Sequence, residues 1–327
     1  MNWKDLDPKK KRLDSLRPLD PALVKNLEEW FRVELTYTSN AIEGNTLTRQ
    51  ETAVVLEKGI TVGGRSIREH LEATNHAQAL DWLKTVAANP GHPVGEKEIL
   101  ELHGMILKGI DDDNAGRYRT MMVRISGSAV VLPNAKKVPD LMREFASWLK
   151  SSMGLHPADL AAQAHYRLVT IHPFIDGNGR TARLLMNLLL MRKGYPPAFI
   201  RTKERLAYLN GLEKAQILGK LEDYEKLMFK VMDRSLDIYL KAAKGESPAP
   251  EAPEADHLIR IGALSKKTGE STATLRHWTK EGLLKPADHT ESGYALYPLE
   301  AVEQAKLIRQ WQGKRLSLQE IKRELEK

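Results

Sequence analysis

The chain has 327 residues, 42% of them hydrophobic and 28% charged, the balance of a globular protein long enough for two or three domains. It holds no cysteine, which excludes disulfides and thiolate metal sites and fits a reducing compartment. The net charge of +7 permits an anionic partner without naming one, and residues 256–327, with 13 Lys and Arg against 10 Asp and Glu, carry +3 of it. The opening MNWKDLDPKKKRLDSLRPLDP is too polar for a signal peptide. The longest apolar run, LLMNLLLM at 184–191, is too short to span a bilayer, so a cytoplasmic protein with no membrane partner is expected.

Along the chain, KKKR at 9–12 reads as a solvated stretch near a frayed terminus. In PALVKNLEEWFRVELTY, Leu23, Leu27, Phe31 and Leu35 recur at every fourth position and predict a helix. RYRTMMVRISGSAVVLP, residues 117–133, sets β-branched residues on either side of SGS and predicts a short hairpin. ADLAAQAHYRLVTI predicts a helix that Pro173 stops, RTARLLMNLLLMRKG a second that ends at Gly194, and KLEDYEKLMFKVMDRSLDIYL a third. KGESPAPEAPEAD, residues 244–256, lacks large apolar residues and reads as an interdomain linker. The part before it is therefore expected to be mainly α with one hairpin.

The chemistry concentrates in HPFIDGNGRTAR, residues 172–183. Gly177 and Gly179 make a turn around Asn178, and a helix follows. A helix N-terminus presents free N–H groups and partial positive charge, a setting for an anion. Arg180 and Arg183 sit three apart in the first turn, on nearly one face, where cations oppose the helix dipole. That placement points to a bound polyanion. Asp176 suits Mg²⁺, which takes one or two carboxylates and fills its other positions with phosphate and water. His172 is placed to accept a proton from an attacking hydroxyl. DGNGRT begins like a calcium loop, but Arg180 stands at a ligand position and Thr181 where glycine is required. There is no GxxxxGK[ST], which excludes a P-loop. The plain alternative is a capped loop with Phe174 in the core.

The same twelve residues resemble the complete HPFxDGNGRxxR signature of Fic-domain proteins, and the resemblance extends over residues 1–240, including GRYR at 116–119 and the LP of the hairpin. It implies a helical Fic fold with a β-hairpin flap and transfer of AMP from ATP to a Ser, Thr or Tyr hydroxyl of a target protein. It further implies that His172 deprotonates that hydroxyl, Asp176 holds Mg²⁺, and Asn178 with the Gly177 and Gly179 backbone cradles the α-phosphate. Arg180 would take the β-phosphate and Arg183 the γ-phosphate, with Phe174 anchoring the loop. Tyr208 is a candidate to flank the adenine, and the hairpin resembles the flap that aligns a target peptide by strand addition. Relatives often form homodimers.

Upstream, in TSNAIEGNTLT, Ser39 and Glu43 stand four apart and share a helix face. One reading is capping, with Asn40 and Glu43 a loose match and Thr48 and Glu51 a better S/T-x-x-E box. The stretch also resembles the Fic inhibitory motif [S/T]xxxE[G/N], matched by Ser39, Glu43 and Gly44. The resemblance implies that Glu43 pairs with Arg183 and displaces the γ-phosphate; in some relatives the equivalent glutamate supports removal of AMP instead.

The C-terminal IGALSKKTGESTATLRHWTKEGLL reads as helix, turn at Gly269 and second helix, with Leu264, Leu275 and Trp278 as core. KPADHTESGYALY would be a β-wing, and two amphipathic helices follow from about 298. The segment resembles the DNA-binding head of MerR-type regulators, which implies a winged helix-turn-helix whose second helix enters the major groove, with Thr274, Arg276, His277 and Lys280 as contacts. Ala295 stands where the wing's arginine belongs, and the dimerising helix is absent before Lys327. DNA binding and a protein-docking role both stay open. The chain is thus expected to divide into an N-terminal helical region with the inhibitory helix (1–95), a Fic core (96–243), a linker (244–256) and a winged helix (257–327). The expected function is that of an autoinhibited protein adenylyltransferase. The alternatives are a DNA-binding regulator whose Fic domain senses nucleotide, or a Fic enzyme that also removes AMP.

Overall fold

The computed structural model describes residues 2–89, 91–125, 127–246, 258–286, 288–289, 295–298, 300–313, 316 and 318–325. The chain divides into two compact units, Met1–Pro248 and Ala249–Lys327. No helix among the described residues is long and apolar enough to cross a membrane.

Ten α-helices are described in the first unit: α1 (Asp7–Ser15), α2 (Pro21–Ile42), α3 (Arg49–Lys58), α4 (Ile67–Ala88), α5 (Glu96–Leu107), α6 (Val138–Ser151), α7 (Pro157–Ile171), α8 (Asn178–Arg192), α9 (Arg205–Leu218) and α10 (Glu222–Ala242). α8 is the axis around which the others pack. Its residues are buried almost without a break from Asn178 to Leu190, which is why LLMNLLLM shows no polar face. One side of α8 joins a core with α1, α6, α7 and α10, built on Leu13, Met142, Leu168, Leu185 and Met228. The other side joins α2, α4 and α5 through Phe31, Leu80, Leu102 and Leu184. Asn187, the polar interruption, accepts from the Ala198 N–H (2.7 Å) and donates to the Arg183 and Ala198 carbonyls, so it is fully satisfied.

α2 buries Leu27, Phe31 and Leu35 as the fourfold spacing predicts. The capping box falls at Thr48 and Glu51, where it starts α3. Asn40 instead lies inside α2 and caps nothing. KKKR differs from its expectation. It lies in α1, which is fastened to α10: Lys9 pairs with Asp233 (2.7 Å) and Asp237 (2.8 Å), and Leu6 and Leu13 are fully buried. Amphipathic burial of these two leucines holds a segment whose charge run alone suggested solvent.

The hairpin also differs. Ile125 O accepts from Ser128 N (3.2 Å), so the chain turns at Gly127, but no paired strands form among the described residues of 117–133. The reason is Arg119. Its guanidinium lies between the arms and donates to Met121 O (3.1 Å) and Pro133 O (2.7 Å), carbonyls that a ladder would otherwise use. Ser128 Oγ and Ala129 N instead donate to Glu213 Oε1, both at 2.8 Å, pinning the tip to α9.

The second unit holds β1 (Leu258–Arg260), α11 (Ile261–Thr268), α12 (Thr272–Lys280), β2 (Asp288–His289), β3 (Ala295–Pro298), α13 (Glu300–Gly313) and α14 (Leu318–Leu325). The strands form one antiparallel sheet in the order β1-β3-β2, with Ile259 opposite Tyr297 and Asp288 opposite Leu296. Leu264, Leu275 and Trp278 are core as predicted, joined by Tyr297, Ile308 and Ile321. Most of the linker and the wing tip, including Gly293 and Tyr294, lie outside the described residues.

Candidate active site

The loop between α7 and α8 is held in a strained form. His172 caps α7 at φ 51°, the one non-glycine residue at positive φ among those described. Three contacts stabilise that conformation: His172 N donates to Leu168 O (3.0 Å), Arg119 Nε donates to His172 O (2.8 Å), and Arg119 N donates to Pro173 O (2.9 Å). Asn178 closes the turn, its side chain accepting from Phe174 N and donating to Phe174 O, both at 2.9 Å. The Asn178 side chain thus holds the loop closed beside the first-turn N–H groups of α8.

Phe174 is fully buried and stacks on His103 (centroids 3.6 Å apart, planes 3° from parallel). His103 Nδ1 accepts from the Gly116 N–H (3.0 Å), so its proton is on Nε2, which donates to Asp176 O (3.0 Å). Burial pushes this imidazole down to about 4, which keeps it neutral. His103 was not singled out in the sequence; a lone histidine on a helix carries no signal until its neighbours are known.

The His172 ring lies 3.3 Å from Val169 O through Nδ1. A carbonyl only accepts, so Nδ1 carries the proton and Nε2 keeps its lone pair. Burial lowers the imidazole below its ordinary value. His172 is thus a neutral acceptor with a defined tautomer.

Asp176 Oδ1 accepts from Gly177 N (2.6 Å) and Arg180 (3.2 Å), while Oδ2 pairs with Arg68 (2.8 Å). Burial alone would raise its pKa, but Arg180, the Gly177 N–H and Arg68 hold it below the usual value, so it is an anion. Among the described residues no group of three or more histidine and carboxylate side chains converges on a metal position. The donor set therefore fits Mg²⁺ only as a cation that arrives with phosphate ligands of its own.

Arg183 is buried at the base of α8. Its Nε donates to Ser39 Oγ (2.9 Å), and its Nη2 donates to Ser39 O (2.9 Å) and Glu43 Oε1 (2.7 Å). Burial works against its charge, yet Glu43 and Tyr208 hold its pKa above the ordinary guanidinium value. Ser39 and Glu43 do share a face, and both reach Arg183. Glu43 is the C-cap of α2, and Gly44 at φ 100° turns the chain away behind it. A Cβ on Gly179 would collide with Glu43 Oε1, so the carboxylate lies directly over the first turn of α8. Gly177, at φ 77°, takes a left-handed conformation with the His103 ring 3.3 Å from where its Cβ would be.

Tyr208 is corrected by the structure. It is 1% exposed and has no ring face to offer a base. Its hydroxyl donates to His165 Nε2 (2.9 Å) and lies 3.5 Å from Arg183, while His165 Nδ1 donates to Tyr224, whose hydroxyl donates to Ala162 O. The tyrosine supports Arg183 from behind.

The Fic/DOC family model matches residues 93–190. A Fic domain containing signaling protein from Bacteroides thetaiotaomicron is 33% identical, with a TM-score of 0.69 over 76% of this chain and 98% of that one. The chain belongs to the Fic family. A Fic-1 fragment from C. elegans is 35% identical with a TM-score of 0.66, over 74% of this chain and 72% of that one. Among curated Fic relatives, "Protein adenylyltransferase Fic" of Aedes aegypti is 38% identical over 248 residues, 75% of this chain and 49% of the relative. This chain thus spans about half the length of the curated Fic relatives it matches. Outside the Fic unit, the model for MerR HTH family regulatory proteins matches residues 259–327. There Arg276, His277 and Lys280 are exposed on α12, whereas the Thr274 hydroxyl lies 2.8 Å from that of Ser271, the N-cap.

Proposed function

We propose that the chain is a protein adenylyltransferase that transfers AMP from ATP to a target hydroxyl, and that α2 holds it inactive. The observation that carries this reading is the neutral His172, held beside the N-terminus of α8 with its Nε2 lone pair free. In the proposed reaction Nε2 takes the proton of the target hydroxyl as its oxygen bonds to the α-phosphorus. The bond from that phosphorus to the bridging oxygen breaks, and pyrophosphate leaves. The backbone N–H groups of Asn178 and Gly179 stabilise the negative charge on the α-phosphate oxygens, and Arg180 and Arg183 hold the β- and γ-phosphates. Asp176 is the residue that would hold Mg²⁺, which supplies charge neutralisation between the phosphates. We assign this core to residues 96–243, and the brake to Ser39, Glu43 and Gly44. A nucleotide sensor would need no base at His172, which favours the enzyme.

In the brake, Glu43 occupies Arg183 and excludes the γ-phosphate from it. A charge-assisted hydrogen bond contributes about 1.5–3 kcal/mol, so Glu43→Gly is expected to raise AMP transfer about ten- to a hundredfold. Labelling from α-³²P-ATP measures this. Labelling should rise in Glu43→Gly and vanish in Glu43→Gly/His172→Ala; equal labelling of all three would overturn the proposal.

For the second unit the reading is DNA contact through Arg276, His277 and Lys280 of α12, supported by their shared exposure and by the MerR match. Neutralised phosphates release counterions, so duplex affinity should fall steeply with salt, with a shallower slope in Arg276→Ala/Lys280→Ala. Identical slopes by fluorescence anisotropy would favour a protein-docking role.

A further inference from the structure

Four charged side chains around the proposed phosphate site form a closed ring. Arg68 pairs with Asp176 (2.8 Å), Asp176 with Arg180 (3.2 Å), Arg180 with Glu72 (3.3 Å), and Glu72 Oε1 with Arg68 Nε (3.3 Å). Arg68 and Glu72 are one turn apart on α4; Asp176 and Arg180 belong to the Fic motif. The two α4 residues thus place a cation on the carboxylate and an anion on the arginine, the same signs that a metal and a phosphate would bring.

Two details point beyond a role in α4 alone. Arg68 is the second residue of that helix, where a cation opposes the helix dipole, and its side chain is 59% exposed. Arg180 is almost completely buried, and its Nε has no hydrogen-bond partner, so Glu72 leaves the guanidinium incompletely satisfied. The fork of Arg180 is built for a larger, multi-oxygen anion than one carboxylate oxygen at 3.3 Å. Glu72 is also tied to the segment just past the brake, since Asn45 Nδ2 donates to its Oε2 (2.9 Å).

We propose that Arg68 is a determinant of metal dependence: it pairs with the carboxylate of Asp176, the residue that would hold the divalent cation, so loading the site would exchange one cation for another. This rests on the reading of Asp176 as the metal-holding residue. Glu72 plays the matching part on Arg180 and gives way to phosphate. The exchange makes no direct contact with Arg183, Ser39 or Glu43, although Glu72 is joined to the end of α2 through Asn45. Release of Arg68 is easy, since its guanidinium already lies mostly in water. Its effect is therefore that of a half-exposed ion pair, a fewfold change in affinity.

The test is a binding measurement in the Glu43→Gly background. ADP is titrated by isothermal calorimetry, once with MnCl₂ and once with EDTA, into protein with Arg68 intact, with Arg68→Ala and with Arg68→Lys. The ratio of the two ADP dissociation constants reports how strongly the metal couples to the site. Arg68→Ala is expected to raise that ratio about three- to fivefold, and Arg68→Lys, which keeps a cation, to raise it less. An unchanged ratio, or a reduced one showing that Arg68 assists the loaded state, would overturn the proposal. If ADP binds none of the proteins under either condition, it is the nucleotide-handling reading of the site that fails. Circular dichroism confirms that each variant is folded.

Discussion

His172 combines three properties that usually compete: burial, an unfavourable backbone conformation and a free lone pair. Its low proton affinity keeps it in the accepting form. A group whose pKa falls below the ordinary imidazole value of about 6.5 stays neutral to lower pH, so the acid limb of AMP transfer by Glu43→Gly should lie below 6.5. A pH–rate profile with its midpoint above 6.5 would contradict this. The grouping of His172 with Asp176, Arg180 and Arg183 was legible in the sequence because one twelve-residue motif carries all four. Tyr208 was not legible in the same way. An aromatic residue 25 positions beyond Arg183 shows nothing of which face it turns inward, and it serves the arginine rather than a base.

At the scale of elements, the helices that carry the site followed from apolar spacing, and the flap did not. Strand propensity in MMVRISGSAVV is real, but it acts only where backbone groups are free to pair. Arg119 takes those carbonyls and fastens both arms to the catalytic loop. Removing it leaves the His172, Met121 and Pro133 carbonyls without their donor, at about 1–3 kcal/mol for each that stays buried. Arg119→Ala should therefore loosen the flap and the His172 cap together. Hydrogen–deuterium exchange should speed up in both 119–133 and 172–176; faster exchange in the flap alone would show that the two are not joined through this residue.

At the scale of the molecule, three further buried histidines join His172 in weakening the Fic unit toward acid pH. Burial pushes His76 to about 3, His103 to about 4 and His165 to about 3, with Arg183 adding to the effect at His76 and His165. Below the unfolded imidazole value of about 6.5 the unfolded chain binds protons that the folded chain refuses, so each histidine withdraws stability as pH falls, by up to about 1.4 kcal/mol per pH unit. The melting temperature should drop between pH 6.5 and 4.5. His165→Gln, which keeps one donor and one acceptor, should flatten that fall; an unchanged slope would remove His165 from the account. Nothing in the sequence marks these histidines as neutral, because that property comes from packing between helices distant along the chain.

The end of α2 is also more than a carrier for Glu43. Its carbonyls at Ser39 and Ile42 are capped by Arg183 and by Arg205, whose Nε donates to Ile42 O (2.7 Å). A nucleotide that claimed Arg183 would therefore remove a helix cap as it gained a phosphate contact. Part of its binding free energy would go into fraying that helix end, so the resting protein should be stabilised less at a given nucleotide concentration than a variant in which that cap is already gone. Affinity and rigidity are coupled here with opposite signs, and the helix terminus is where they meet.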